Sequence, residues 1–188
     1  MNTVNVAYGM AHGNSAAAPA LIILSGLPGT GKTTFAHALV AAMPALHVES
    51  DAIRRSLARV PRYTMGENAA VFARVEADAR AALERHQHTI IDATNLTTRD
   101  RRRFVRLARD VDARLVAIWL TAPESIVKAR LQRPREGFSQ ATIGTYDRMK
   151  SRPQRFSAPA VVVDSRFPIA PSVGLVAVLA VSKEPTPA

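Results

Sequence analysis

Apolar residues recur along this chain in two alternating arrangements. Short apolar-rich runs at 21–24, 45–49, 88–93, 113–120 and 160–163 have β-branched residues and turn-forming neighbours, as strands buried on both faces do. Between them, 35–43, 68–85, 101–109, 125–133 and 141–150 carry apolar positions three or four apart, which predicts amphipathic helices. Thr97 and Asp100 have the spacing of a capping box ahead of the helix over 101–109, whose expected apolar face is Phe104, Val105, Leu107 and Ala108. Pro123 and Glu124 suit the first turn of the helix over 125–133, and Pro134 ends it. Residues 171–181 fit a closing helix despite Gly174, although their valines leave a strand open. This alternation predicts an α/β domain with a mainly parallel sheet of about five strands, in which the run over 88–93 is the expected centre.

One segment adds chemistry to the pattern. Directly after the first run stand Gly26, Leu27, Pro28, Gly29, Thr30, Gly31, Lys32, Thr33 and Thr34, which match G-x-x-x-x-G-K-[ST] between a strand and a helix. Glycines there let the backbone wrap a phosphate group, while the following helix aims its amides and dipole at the anion. Lys32 would reach the β- and γ-phosphates of ATP, and Thr33 would offer its hydroxyl to Mg2+. The expected fold is therefore the P-loop NTPase fold, a three-layer α/β/α arrangement with a small helical lid.

Carboxylates follow at the ends of two later strands, where ligands of open α/β sheets bind. The second strand ends at Ser50 and Asp51, and Arg54 comes one helical turn after the acid. That pair suits phosphoryl transfer to a hydroxyl, since the acceptor proton needs a base and the transferred charge needs a cation. Asp92, ending the run over 88–93, is a candidate magnesium ligand of Walker B type. Thr94, Asn95 and Arg99 lie near the expected site and have a claim to acceptor contact. Arg55, Arg59, Arg62 and Tyr63 form a basic stretch carrying an aromatic, able to grip a phosphorylated or nucleotide acceptor by charge and stacking. The triplet Arg101, Arg102 and Arg103 reads as solvated helix surface, and Trp119 as core packing.

A helix, an arginine-bearing loop and another helix over about 130–142 have the plan of a lid that closes over ATP. Arg130 and Arg133 fall on one helical face and Arg135 at the loop tip, so any of them can supply the cation that stabilises the transferred phosphoryl. The turn at Asp164, Ser165 and Arg166 is expected to border the adenine.

The length of 188 residues suits one domain, over 20–182, between a flexible leader at 1–19 and a proline-containing tail at 183–188. The chain contains no cysteine, which excludes disulfides, thiolate zinc sites and cysteine nucleophiles. No apolar run approaches the span of a bilayer and no secretion-signal pattern is present, so no membrane partner and a cytoplasmic location are expected. A formal charge of +10 fits an anionic partner such as nucleic acid and fits a solvated basic surface equally well.

Taken together, the phosphate loop at 26–34, Ser50 to Arg54, Ile90 to Leu96 with Arg99, Arg130, Arg133 and the stretch Ser139 to Thr142 resemble the P-loop kinases of the polynucleotide-kinase and zeta-toxin type, an AAA-like group. The resemblance covers about 21–164. It implies a kinase dependent on ATP and Mg2+, with Asp51 as general base, Arg54 on phosphate and Arg133 or Arg135 as the lid cation. The phage-type enzymes carry an aspartate immediately before their Thr-Asn pair, where this chain has Ala93 and the acid one residue earlier. The expected activity is transfer of the γ-phosphoryl of ATP to a hydroxyl, with a polynucleotide 5′-hydroxyl as one acceptor. A small metabolite or an antibiotic is the alternative acceptor, and an ATP-hydrolysing switch without an acceptor is the further alternative.

Overall fold

The computed structural model of the chain describes residues 18–58, 60–134, 137–154 and 159–182. Its elements run β1 (Ala20–Ser25), α1 (Lys32–Ala42), β2 (Leu46–Glu49), α2 (Ser50–Leu57), α3 (Met65–Glu84), β3 (Thr89–Asp92), α4 (Thr98–Asp110), β4 (Arg114–Thr121), α5 (Glu124–Gln132), α6 (Ile143–Met149), β5 (Val161–Asp164) and α7 (Ala170–Val181). The five strands lie in the order β2-β3-β1-β4-β5, and every neighbouring pair is parallel.

The alternation of β1 decides what each face of the sheet meets. Ala20, Ile22 and Leu24 pack with Phe35 and Leu39 of α1 and Val173 and Val176 of α7. Leu21 and Ile23 pack instead with Val71, Val75 and Leu83 of α3 and with Phe104 and Leu107 of α4. All six residues of β1 are buried, because helices cover both faces and strands flank both edges. A third cluster joins α5 and α6 through Val127, Leu131 and Tyr146, with Leu27 of the phosphate loop packed against it.

Several expectations change. The centre of the sheet is β1 and not β3, which lies between β1 and β2. One helix expected over 68–85 begins earlier, at Met65, where Thr64 caps it by accepting the Glu67 amide; a separate helix, α2, precedes it. The segment over 171–181 is a helix, since Val173, Val176 and Ala180 fall three and four apart and cover the sheet. Val105 is exposed, and the inward stripe of α4 is Arg101, Phe104, Leu107 and Ala108. The capping box of Thr97 and Asp100 forms as expected. Most of the leader (1–17) and the tail (183–188) lie outside the described residues. Among the described residues no helix is long and apolar enough to cross a membrane.

Candidate active site

The chain leaves β1 through a turn that only glycine allows. Gly26 has φ 149°, its amide donates to the Thr94 carbonyl at 3.0 Å, and a Cβ there would stand 2.4 Å from the Leu120 carbonyl oxygen. Thr30 closes the loop by donating its amide at 3.3 Å and its hydroxyl at 2.8 Å to the Leu27 carbonyl. Gly31, in the left-handed region at φ 89°, caps α1, whose first turn contains no acid. The amides of the first turn of α1 and the positive end of the helix dipole are thereby left for an anion. Pro28 is buried, Gly29 half-buried, and Thr34 exposed on the first turn of α1. Lys32 donates its ammonium to the Gly26 and Leu27 carbonyls, each at 3.1 Å. Burial pushes its pKa down, opposed by the charges of Asp92 and Asp51.

The facing wall comes from β2, β3 and the start of α2. Leu24, Asp92 and Glu49 stand in register across three strands. Asp92 is buried, with the Nε2 of His47 3.2 Å from its Oδ2. Desolvation alone would raise the Asp92 pKa; the hydrogen bond to His47, the Lys32 charge and the hydroxyl of Thr33 outweigh it and hold the carboxyl below the usual range. Desolvation and the charge of Asp92 push Glu49 up. Asp51, in the first turn of α2, is likewise raised by burial, against a hydrogen bond from Ser139 and the charges of Lys32 and Arg54. Lys32, Thr33, Asp92 and Asp51 thus face one another at the carboxyl end of the sheet.

Hard oxygen donors suit Mg2+, which takes only one or two protein ligands and otherwise keeps water or substrate oxygens. Thr33 and Asp92 fit that requirement, because the serine/threonine hydroxyl of the loop and an ionised strand-end carboxylate already meet. Among the described residues there is no cluster of three or more His, Asp or Glu side chains able to cage a metal by themselves.

The arginines separate. Arg54 is buried and donates to Glu67 at 2.6 Å and to Asn68 at 2.7 Å. Arg130 donates to the hydroxyl and carbonyl of Ser165 at 2.8 and 2.7 Å, and to the Gly29 carbonyl at 3.5 Å, so it bridges the phosphate loop and the turn after β5. Arg133 does not share its face: α5 ends at Gln132, and Arg133 caps it in an extended conformation, exposed. Arg135 and Arg59 lie outside the described residues. The loop touches the lid directly, since a Cβ on Gly29 would stand 2.9 Å from Val127 and 3.1 Å from Leu131.

Some residues have roles that the sequence did not disclose. Asn95 is buried at φ 44° and donates to the Leu24 carbonyl at 2.8 Å, which makes it a brace between β1 and the loop after β3 and takes it away from acceptor contact. Arg101 is buried and donates to the carbonyls of Asn95, Leu96 and Gln154 at 2.9 to 3.0 Å. His47 and Glu49 were visible as neighbours on one face of a short strand, the spacing of two being the available signal. Ser139 was named only within the stretch that carries the resemblance, and Ser165 only within the turn expected to border the adenine; neither was paired with Asp51 or Arg130, because those partners lie in distant segments.

The described architecture is that of P-loop NTPases. The chain is 27% identical over 150 residues to the L-seryl-tRNA(Sec) kinase of Methanococcus maripaludis; the match takes in 77% of this chain and spans 59% of that protein's length. It superposes on the Mycobacterium tuberculosis APS kinase CysC, solved in complex with AMPPNP and APS, with a TM-score of 0.69 at 17% identity, covering 88% of this chain and 99% of that one. A chain of the Pnkp1/Rnl/Hen1 complex gives a TM-score of 0.57 at 24% identity, over 71% of this chain and 46% of that one. The AAA domain family AAA_33 matches residues 21–156, from β1 past the lid, and the chain belongs to that family.

Proposed function

We propose that the chain is an ATP-dependent phosphotransferase that moves the γ-phosphoryl of ATP to an acceptor hydroxyl. The observation that carries this reading is the position of Asp51, a carboxylate outside the phosphate loop in the first turn of α2, two residues beyond Glu49, which stands in register with Asp92. A nucleotide switch needs no such acid; a kinase needs one on the acceptor side. Kinase names among the similar proteins support the same chemistry.

In this mechanism Lys32 leaves the Gly26 and Leu27 carbonyls for the β- and γ-phosphates, which the remaining loop amides and those of the first turn of α1 cradle. Thr33 and Asp92 would hold Mg2+, and His47 fixes the Asp92 carboxylate from behind. The ion, when bound, neutralises charge on the phosphate oxygens. Asp51 takes the proton of the acceptor hydroxyl as its oxygen bonds to the γ-phosphorus and the bond to the bridging oxygen breaks, leaving ADP. Arg130, beside the loop, steadies the nucleotide, and Arg54 steadies the wall that carries Asp51. Arg133 or Arg135 supplies the lid cation on closure.

Incubation with labelled ATP and a mixed set of hydroxyl acceptors tests the proposal. Lys32→Ala and Asp51→Asn should both abolish transfer, and only the first should markedly weaken ATP binding. Full activity in Asp51→Asn would remove the base assignment, and release of free phosphate alone would favour the switch.

A further inference from the structure

The link between α2 and α3 is built more tightly than a surface connection requires. Tyr63 lies in the left-handed region at φ 54°, a conformation that a bulky side chain takes only where its surroundings enforce it. The enforcement is visible. Oε2 of Glu67 accepts the amides of Arg62 at 2.7 Å and Tyr63 at 3.1 Å, and Asn68 donates its side-chain amide to the Tyr63 carbonyl at 3.3 Å. The same two side chains hold Arg54 with their remaining oxygens. Arg54 in turn lies against the tyrosine ring, 4.6 Å from its centroid. An aromatic ring is thus fixed from below and behind, while the residue as a whole stays 50% exposed.

The ring belongs to the acceptor side of the site. Asp51 is one turn before Arg54 on α2, and its charge, second to desolvation, helps push the Tyr63 phenol up. Arg62, next to Tyr63 in the chain, and Arg55, whose charge acts on the phenol, are both exposed. We propose that Tyr63 is a stacking platform for the terminal base of a polynucleotide whose 5′-hydroxyl is delivered to Asp51, with the exposed Arg55 and Arg62 meeting the adjacent phosphodiesters. The inference rests on the kinase reading above and adds the acceptor class. A rigid ring held over a buried cation offers a flat π-surface at little ordering cost, and stacking on such a ring accepts any base. Phosphodiesters next to that base match exposed guanidiniums.

The test uses the full chain with labelled ATP and three acceptors: an oligonucleotide with a 5′-hydroxyl, the same strand with an abasic 5′ residue, and a free nucleoside. Tyr63→Phe keeps the ring, and Tyr63→Asn removes it while tolerating the left-handed turn. The expected result is an acceptor KM raised about tenfold or more in Tyr63→Asn on the base-bearing strand, a loss of stacking of the size seen for single bases. Its kcat and its KM for ATP should stay within about twofold, as should every constant of Tyr63→Phe, and the abasic strand should show no further loss in Tyr63→Asn. Equal losses on both strands would overturn the platform and leave Tyr63 as a cover for Arg54, and no loss on either would overturn it outright. A nucleoside phosphorylated as well as the strand would overturn the polynucleotide assignment. Transfer to a small metabolite with none to any base-bearing acceptor would overturn this inference and spare the kinase reading; free phosphate alone would overturn both.

Discussion

Asp51 shows how a residue's chemistry and its cost to the fold are linked. Burial raises its pKa despite Ser139, Lys32 and Arg54, so the folded chain binds this proton more readily than the unfolded chain. Stability from this group therefore falls as pH rises from the ordinary aspartate range through the raised value, and above that window the ionised carboxylate is a net burden on the fold. Asp51→Asn is expected to raise the melting temperature at pH 7.5 while cutting transfer at least about a hundredfold; a fall in melting temperature would show the carboxylate to be structural. Arg101 is the opposite case. Removing its guanidinium takes a donor from the carbonyls of Asn95, Leu96 and Gln154, of which Leu96 still accepts the Gln154 amide, so Arg101→Ala should cost about 2–3 kcal/mol in urea unfolding, while exposed Arg102→Ala should stay within about 0.5 kcal/mol. Sequence could not separate these two arginines. Consecutive helix positions point in different directions, and which one turns inward depends on the phase of α4 against the sheet, set by Phe104 and Ala108. The placement of the phosphate loop, by contrast, was legible residue by residue, since its glycines and the start of α1 are set by local sequence. The placement of Asp51 and Asp92 was legible because a strand's carboxyl end is a predictable place.

At the level of elements, the link between α5 and α6 comes close to α2. The Ser139 hydroxyl acts to lower the Asp51 pKa, and Phe138 beside it lines a cavity of about 610 Å3 with His47, Glu49, Ala52 and Ile53. The segment expected as a lid therefore reaches Asp51, the proposed base. Because the Ser139 hydroxyl favours the ionised carboxylate, Ser139→Ala should raise the Asp51 pKa further. A general base works only when deprotonated, so the acid limb of the pH–rate profile should move to higher pH, with little change on the plateau. An unmoved acid limb would mean that Ser139 leaves Asp51 during turnover. The helix, the break at Pro134 and the second helix were readable in the sequence. The approach of Ser139 to Asp51 was not, since it joins segments almost ninety residues apart and the resemblance that names Ser139 gives it no partner. The same limit applies to sheet order: β1 lies between β3 and β4, and no run of apolar residues states its neighbours.

For the molecule as a whole, the formal charge of +10 left an anionic partner and a plain solvated surface equally open. Salt separates them. Many of the basic side chains are already engaged within the fold, among them Arg54 with Glu67, Arg103 with Glu76 and Lys128 with Glu124. The charge that can meet a strand is therefore a local subset, which among the described residues includes the exposed Arg55 and Arg62. If about three phosphates are neutralised, each contributing a slope of about −0.7 for a single strand, then raising KCl fourfold from about 50 mM should raise the acceptor KM by about tenfold or more. The constant for ATP should move less, because its proposed contacts are a single cation, Lys32, and neutral backbone amides at short range, which salt screens less than a row of exposed guanidiniums. A neutral nucleoside or metabolite releases no counterions and should be nearly indifferent to the same change. Measured across the salt series, Arg62→Ala should flatten the slope for the oligonucleotide by about 0.7 and leave the ATP constant untouched. A slope unaffected by that substitution would put the strand on another face of the molecule, away from Asp51.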